Sequence, residues 1–337
     1  MVEQHNITED EAALYDRQIR LWGLDAQKRL RAAKVLLVGL RGLGAEVAKN
    51  IVLAGINSLV LLDHTKVTDE DRCSQFLVSR EDVGKNEATQ KLNPMVQITV
   101  DTEDVATKPD DFFYSFNVIC VTCSTQTVLD RINKICHNKN IQFFAGDVFG
   151  YFGYMFSDLG KHEYAEEVPK PKAKETDDNE NGEPKAKQAK KEVLETIVVK
   201  KITEFVRFDA ALHFDWTTEE NKKRLKRTPK TYFIMQVLFK FMEKHKRRPD
   251  PEQKSEDQKE LENLKVEVID ALKVDQEFLS DYFVTHCFAE LGPVSAIVGG
   301  VLGQEIIKAV SQKDKPHNNF FFFDGVNGSG LVDQIGA

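Results

Sequence analysis

Six residues, Gly39-Leu40-Arg41-Gly42-Leu43-Gly44, sit where a phosphate-binding turn would. The apolar run Val35–Val38 leads into them, a helical pattern follows, and a second apolar run ends at Asp63. In such a strand–turn–helix unit glycines let backbone amides approach a pyrophosphate, which the helix N-terminus also attracts. The dinucleotide fingerprint has a glycine at the place of Arg41. That side chain enters or borders the phosphate space, where it can hold a phosphate or turn to solvent. Asp63 suits a ribose hydroxyl and an ordinary polar strand end equally well. A single imperfect fingerprint is a weak signal for a nucleotide.

The sulfur chemistry is weaker still. Cys120-Val-Thr-Cys123 is half of a zinc pattern, with no second pair to complete it. Structural zinc needs four ligands, so two core thiols and no metal site are expected. Cys287 follows His286, but consecutive residues on a helix point in different directions, and a buried thiol is the better expectation. No Ser-His-Asp arrangement can be recognised from chain order alone.

These residues need a frame. A helix is predicted over 8–31, opened by a Thr8/Glu11 capping box. The β-α-β unit over 35–63 follows, then a polar turn region (64–83) and a short helix (84–92). Strands are expected near 96–100, 117–122 and 141–145, with a helix at 125–138. Strands alternating with helices imply an α/β fold with a doubly wound, mostly parallel, Rossmann-like sheet. The first part of that domain covers 1–164. Residues 165–195 are rich in Lys, Glu, Asp and Pro and cannot bury enough apolar surface to order themselves, so a disordered linker is expected. Its lysines fit a nuclear address or a solvated linker. Residues 197–207 look like a strand or hairpin at the start of a small, mainly helical half-domain over 196–290, with its Phe, Leu and Met at helical spacing expected to pack as a core. The chain returns to the main fold over 291–337, with a small-residue-rich buried helix (292–312) and a central strand (318–325).

The length of 337 residues allows one large domain plus a smaller one. With 41% hydrophobic and 30% charged residues, the balance is that of an ordinary soluble protein. The net charge of −8 argues against a nucleic-acid partner. No apolar run is expected to reach membrane-spanning length, and the polar N-terminus is unlike a secretory signal. Five cysteines, an odd number in mostly apolar context, point to the cytosol or nucleus.

Taken in order, "YDRQIRLWG" (15–23), the loop–helix–strand, "DVGKN" with "NPM" (82–95), "GDVFGYFGY" (146–154), "GGVLGQEIIKA" (299–309) and "FFFFDG" (320–325) resemble the ubiquitin-like-protein activating enzymes. The resemblance runs from about residue 12 to the C-terminus. Members of that family adenylate the C-terminal glycine of a modifier with ATP and then capture it as a thioester. Here the family's catalytic pattern is broken. Where active members carry a stretch like "NLNRQFL", this chain has Asp71-Arg72-Cys73-Ser74-Gln75-Phe76-Leu77. Ser74 stands at the phosphate-binding arginine, and Ser124 at the aspartate that helps hold magnesium and ATP. The paired CxxC motif and the catalytic cysteine context are missing, and the segment between "VGKN" and "NPM" is short by more than one helical turn.

The resemblance therefore implies a pseudo-adenylation domain. Gly39, Arg41, Gly42, Gly44 and Asp63 would be an empty remnant of a nucleotide site, with ATP and Mg held by a catalytic partner subunit. The features fit the SUMO branch, where the inactive half is a separate chain in an obligate heterodimer that reaches SUMO through the complex, in the nucleus and also the cytoplasm. The apolar faces near the glycine turn and helix 292–312 would include the interface. In this family the arginine matching Arg17 reaches across to the partner's ATP; Arg20, one turn later, is the fallback. Three other readings stay open: the inactive subunit of the NEDD8 enzyme, a stand-alone adenylating or NAD-binding enzyme, and a pure scaffold.

Overall fold

The computed structural model describes residues 8–68, 71–75, 93, 95–169 and 196–336. The predicted helix 84–92 and residues 170–195 lie outside them. The chain starts with three short helices, α1 (Glu9–Leu14), α2 (Asp16–Trp22) and α3 (Leu24–Ala32), instead of the single helix expected over 8–31. Gly23, at φ +89°, breaks the run between α2 and α3. The capping box is present: Glu11 N–H donates to Thr8 Oγ1, and Thr8 N–H to the Glu11 carboxylate.

Next come β1 (Lys34–Val38), α4 (Gly42–Leu53), β2 (Ser58–Leu62), the single turn α5 (Asp71–Ser74) and β3 (Gln97–Asp101). Then follow β4 (Val118–Thr122), α6 (Gln126–Lys139), β5 (Gln142–Phe149), β6 (Phe152–Asp158) and β7 (Lys161–Pro169). The last part holds β8 (Thr196–Glu204), α7 (Phe208–Leu212), α8 (Glu219–Leu225), α9 (Lys230–His245), α10 (Lys254–Ala271), α11 (Gly292–Ser311), β9 (Phe320–Asp324) and β10 (Ser329–Asp333).

Eight strands form one sheet in the order β10-β9-β6-β5-β4-β1-β2-β3. The run from β5 to β3 is parallel, and β6, β9 and β10 extend it antiparallel. Strand β9, expected to be central, lies between β6 and the edge strand β10. Both faces of the parallel half are covered, so β1 and β4 read as continuous apolar runs. Val35 and Leu37 face a core shared with α4 and α11 through Ile51, Leu302 and Ile306. Leu36 and Val38 face the other core, which includes Ile132 of α6 and Phe239 of α9.

That second core changes the picture of residues 196–290. Tyr154 of β6 meets Phe239 edge-on at 5.7 Å, and Phe320 and Phe322 of β9 both meet Tyr232 at 6.1 Å. The helical segment shares the main core instead of enclosing its own. Strands β7 and β8 form a separate antiparallel pair, so residues 165–169, expected in the linker, belong to a strand.

Helix α11 does reach the length and apolarity of a membrane span, contrary to the sequence expectation, but it is mostly buried in the protein. Its glycines serve close packing. A Cβ at Gly299 would lie 2.5 Å from Glu46 Cβ, and one at Gly303 2.7 Å from Asn50 Cβ. The small-residue stripe is thus used against α4 inside the chain.

Candidate functional site

The glycine turn lies beyond the C-terminal end of β1, between β2 and β4, where the strand order reverses. Ligands of doubly wound sheets bind at such switch points. A cavity of about 490 Å³ opens there, lined among others by Gly39, Asp63, Val105, Ser124, Met242 and Arg248. Gly39 adopts φ +85°, and a Cβ on it would lie 2.5 Å from Thr122 O, so only glycine fits. Thr122 Oγ1 donates to Val38 O and Gly39 O at 3.0 and 2.9 Å and ties β4 to the turn.

Asp63 is engaged by its own loop. Leu40 N–H donates to Oδ2 (2.7 Å), and Thr65 N–H and Oγ1 donate to Oδ1 (2.8 and 2.6 Å). Both carboxylate oxygens therefore have intramolecular donors, although the residue still lines the cavity. The Gln75 side-chain amide donates to Leu40 O and clamps the turn from the other side.

Arg41 borders the cavity, as the sequence suggested, and is held there by two acids. Its Nε lies 3.3 Å from Asp71 Oδ1 and 3.8 Å from Glu290 Oε1. Burial and the nearby Arg248 oppose its charge, but the acids beside it, Glu290 and Asp71, keep its pKa raised. Asp71 is itself held by Thr68, whose N–H and Oγ1 each donate to Oδ2 at 2.8 Å.

Glu290 was invisible to sequence reasoning. It arrives on the segment before α11 and places its carboxylate at the start of α4, where Leu43 N–H donates to Oε2 (3.3 Å). Cys123 Sγ donates to Oε1 (3.2 Å), and Arg248 Nη2 lies 3.9 Å away. A Cβ on Gly42 would sit 2.8 Å from both Glu290 Oε2 and Ser74 Cβ, so Gly42's shelf is filled by side chains of this chain.

Asp147 completes the cluster, fully buried at the C-terminal end of β5. Arg248 Nη1 bonds its two oxygens at 2.7 and 2.9 Å, Arg248 Nη2 also donates to Val148 O, and the guanidinium lies 4.2 Å over the Phe149 ring. Burial opposes the Arg248 charge, yet Asp147 and Glu290 raise its pKa overall, while burial pushes the Asp147 carboxyl up although Arg248 opposes. Burial, then Glu290 and Asp147, push the Cys123 thiol well up, so it donates as a thiol. Cys123, Asp147 and Glu290 bring one ligand atom each within 4.8 Å of one another. Two guanidiniums already balance those carboxylates, and Arg248 uses both oxygens of Asp147.

The two cysteines of "CVTC" part company. Cys120 is a core thiol, as expected, but Cys123 leaves the strand at φ +54° and lines the cavity. Cys120 lies inside β4 and Cys123 in the turn after it, so the two thiols sit in different surroundings. Cys287 is buried, follows a 3-10 turn instead of sitting on a helix, and its thiol is pushed up to about 12 by burial. His286 faces Tyr282 O (2.7 Å) and forms no dyad with it.

Arg17 and Arg20 lie on α2, away from this cluster. Arg20 pairs with Asp16 at 3.0 Å. Arg17 is exposed, with no ion-pair or hydrogen-bond partner among the described residues.

The switch-point cavity and glycine turn define the class: an adenylation-type α/β protein. The chain belongs to the ThiF family, whose pattern it matches over residues 15–335. It is 51% identical to SUMO-activating enzyme subunit 1 of Xenopus tropicalis over 100% of both chains. With the Danio rerio protein of that name the identity is 52% (98% of this chain, 97% of the relative), and with the Homo sapiens one 51% (98% and 96%). Among solved structures, Escherichia coli MccB with succinimide shares the fold at a TM-score of 0.53 and 12% identity, covering 96% of this chain and 71% of that one.

Proposed function

We propose that this chain is the non-catalytic subunit of a heterodimeric SUMO-activating enzyme. In this reading the partner subunit binds ATP and Mg, adenylates SUMO and carries it as a thioester, while this chain completes the partner's site. The relatives' names support the SUMO branch over the NEDD8 branch. The observation that carries the non-catalytic role is the Glu290 carboxylate at the α4 N-terminus, with Ser74 packed against Gly42. A triphosphate there would meet an occupied slot and lack the arginine and the metal-linked carboxylate whose places Ser74 and Ser124 take, electrostatic parts that phosphoryl chemistry depends on.

Arg17 is the residue this chain would supply in trans. A guanidinium stays charged at any physiological pH and can clamp phosphate oxygens with two parallel hydrogen bonds. The heterodimer would act in the nucleus and also the cytoplasm. The interface would use apolar side chains left exposed around α2 and on α11, such as Leu14, Leu21 and Ile297. The cavity beside Asp63 favours one rival, a stand-alone adenylating enzyme. ATP–pyrophosphate exchange separates the two: the purified chain alone should show none, and adding the catalytic subunit and SUMO should restore it. Exchange that follows the isolated chain through every purification step would overturn the proposal.

A further inference from the structure

The N-terminus of α4 has an anion, and it comes from the chain itself. Glu290 is 7% exposed and lies 247 residues along the chain from Leu43, whose amide it binds. The backbone around it is fixed. Ala289 adopts φ +59°, a conformation costly for a residue with a Cβ, and Gly150 N–H donates to Ala289 O at 2.7 Å. We infer that Glu290 is an internal anion that closes the phosphate cradle: its carboxylate takes the place an external phosphate oxygen would need, while the turn keeps its shape.

The physical case has three parts. First, helix N-termini attract anions, and α4 spans 12 residues, long enough for its dipole to act. Second, the carboxylate meets one amide, one thiol and two guanidiniums (Leu43, Cys123, Arg41 and Arg248), the donor set of an anion site. Third, an incoming anion would face Glu290, Asp71 and Asp147 around those same donors, so repulsion adds to the steric block. It follows that the loop's amides remain competent and that Glu290, more than the glycine pattern, decides whether they are available. This deepens the proposed reading, whose non-catalytic role rests on the same carboxylate.

Chemical rescue tests it. The full chain and its Glu290→Ala and Glu290→Gln variants are melted in sodium chloride, sodium acetate and sodium phosphate at matched ionic strength. Removing the carboxylate should lower the Tm of Glu290→Ala in chloride. Acetate and phosphate should then raise it in a saturable, concentration-dependent way, because a ligand that binds only the folded state stabilises it by mass action. Wild type and Glu290→Gln, whose slot stays filled, should show only the general salt effect. A Glu290→Ala variant with no anion-dependent gain beyond wild type would overturn the inference. Should that variant not fold in chloride, its refolding yield with and without acetate replaces the Tm, and an unchanged yield has the same consequence. Failure here leaves the exchange assay untouched, so the two ideas fail separately.

Discussion

Arg31 Nη2 lies 2.7 Å from Glu11 Oε1, and this pair settles which acid serves which arginine at the start of the chain. Glu11 is close in sequence to Arg17 but is spent on Arg31 and on the Thr8 cap. Asp16 is taken by Arg20. Gln18 Nε2 anchors α2 by donating to Leu53 O at the end of α4 (3.1 Å). Arg17 is thus presented on an anchored helix without an acid of its own among the described residues.

The first prediction follows. In the complex purified with the proposed catalytic subunit, Arg17→Ala should lower SUMO adenylation by at least about tenfold, and by up to roughly a thousandfold if the guanidinium bonds the reacting phosphate directly. Arg20→Ala should change it little, since an exposed i,i+4 pair contributes only about 0.3–0.5 kcal/mol. Gel filtration checks that each complex is intact. Near-normal adenylation by an intact Arg17→Ala complex would return the residue to a surface charge.

A second prediction concerns the buried pair Arg248–Asp147. Arg248→Leu strands a fully buried carboxylate and should cost about 3–5 kcal/mol of stability. Adding Asp147→Leu should recover much of it, because replacing both partners removes the uncompensated charge. Urea unfolding of the single and double variants decides; equal losses would mean that packing, not charge, dominates.

Acid sensitivity should come partly from His162. It is 4% exposed, its Nε2 has no partner among the described residues, and burial lowers its pKa from the usual 6.5. The unfolded chain then takes up the proton more readily than the folded one. This contribution to stability is present above the unfolded pKa and is lost as pH falls through about 6.5 toward the lowered folded value. His317 adds the same sign; burial lowers it although Glu305 opposes. Unfolding free energies should therefore drop between pH 7.5 and 5.5, and His162→Phe should shrink the drop. An unchanged pH dependence in that variant would count against the assignment.

Two glycines of α11 should respond in opposite directions. At Gly303 an added Cβ meets Asn50 Cβ at 2.7 Å, so Gly303→Ala should destabilise by about 1–3 kcal/mol despite its better helix propensity. At Gly300 nothing lies within 4 Å, so Gly300→Ala should gain up to about 1 kcal/mol. Thermal unfolding of the isolated chain reads both, and a gain at Gly303 would show that α4 can move aside.

The sequence by itself determined the parallel half of the sheet and its flanking helices, but not β6, β7 or β10, nor the division of the first helix into three. Apolar runs with period-breaking glycines located β1, β2, β4 and β5, the capping box located the first helix, and the small-residue run 292–312 located α11. Those signals are local, since each depends on residues a few positions apart. Gly39 and Gly44 were legible for the same reason, because a tight turn needs its glycines in sequence. What the turn can bind was decided only by the tertiary structure. Glu290, Arg248 and Asp147 carry no local signature, and they meet the loop because β5, the segment after α9 and the lead into α11 converge at one end of the sheet. The same holds for the division of labour between Cys120 and Cys123, and for helices 218–271, whose aromatic faces looked self-sufficient in sequence but pack on β6 and β9. Local spacing fixes dihedral angles and periodic faces; the partner of a buried charge is set by which strand ends the fold brings together, and a chain read along its length does not contain that distance.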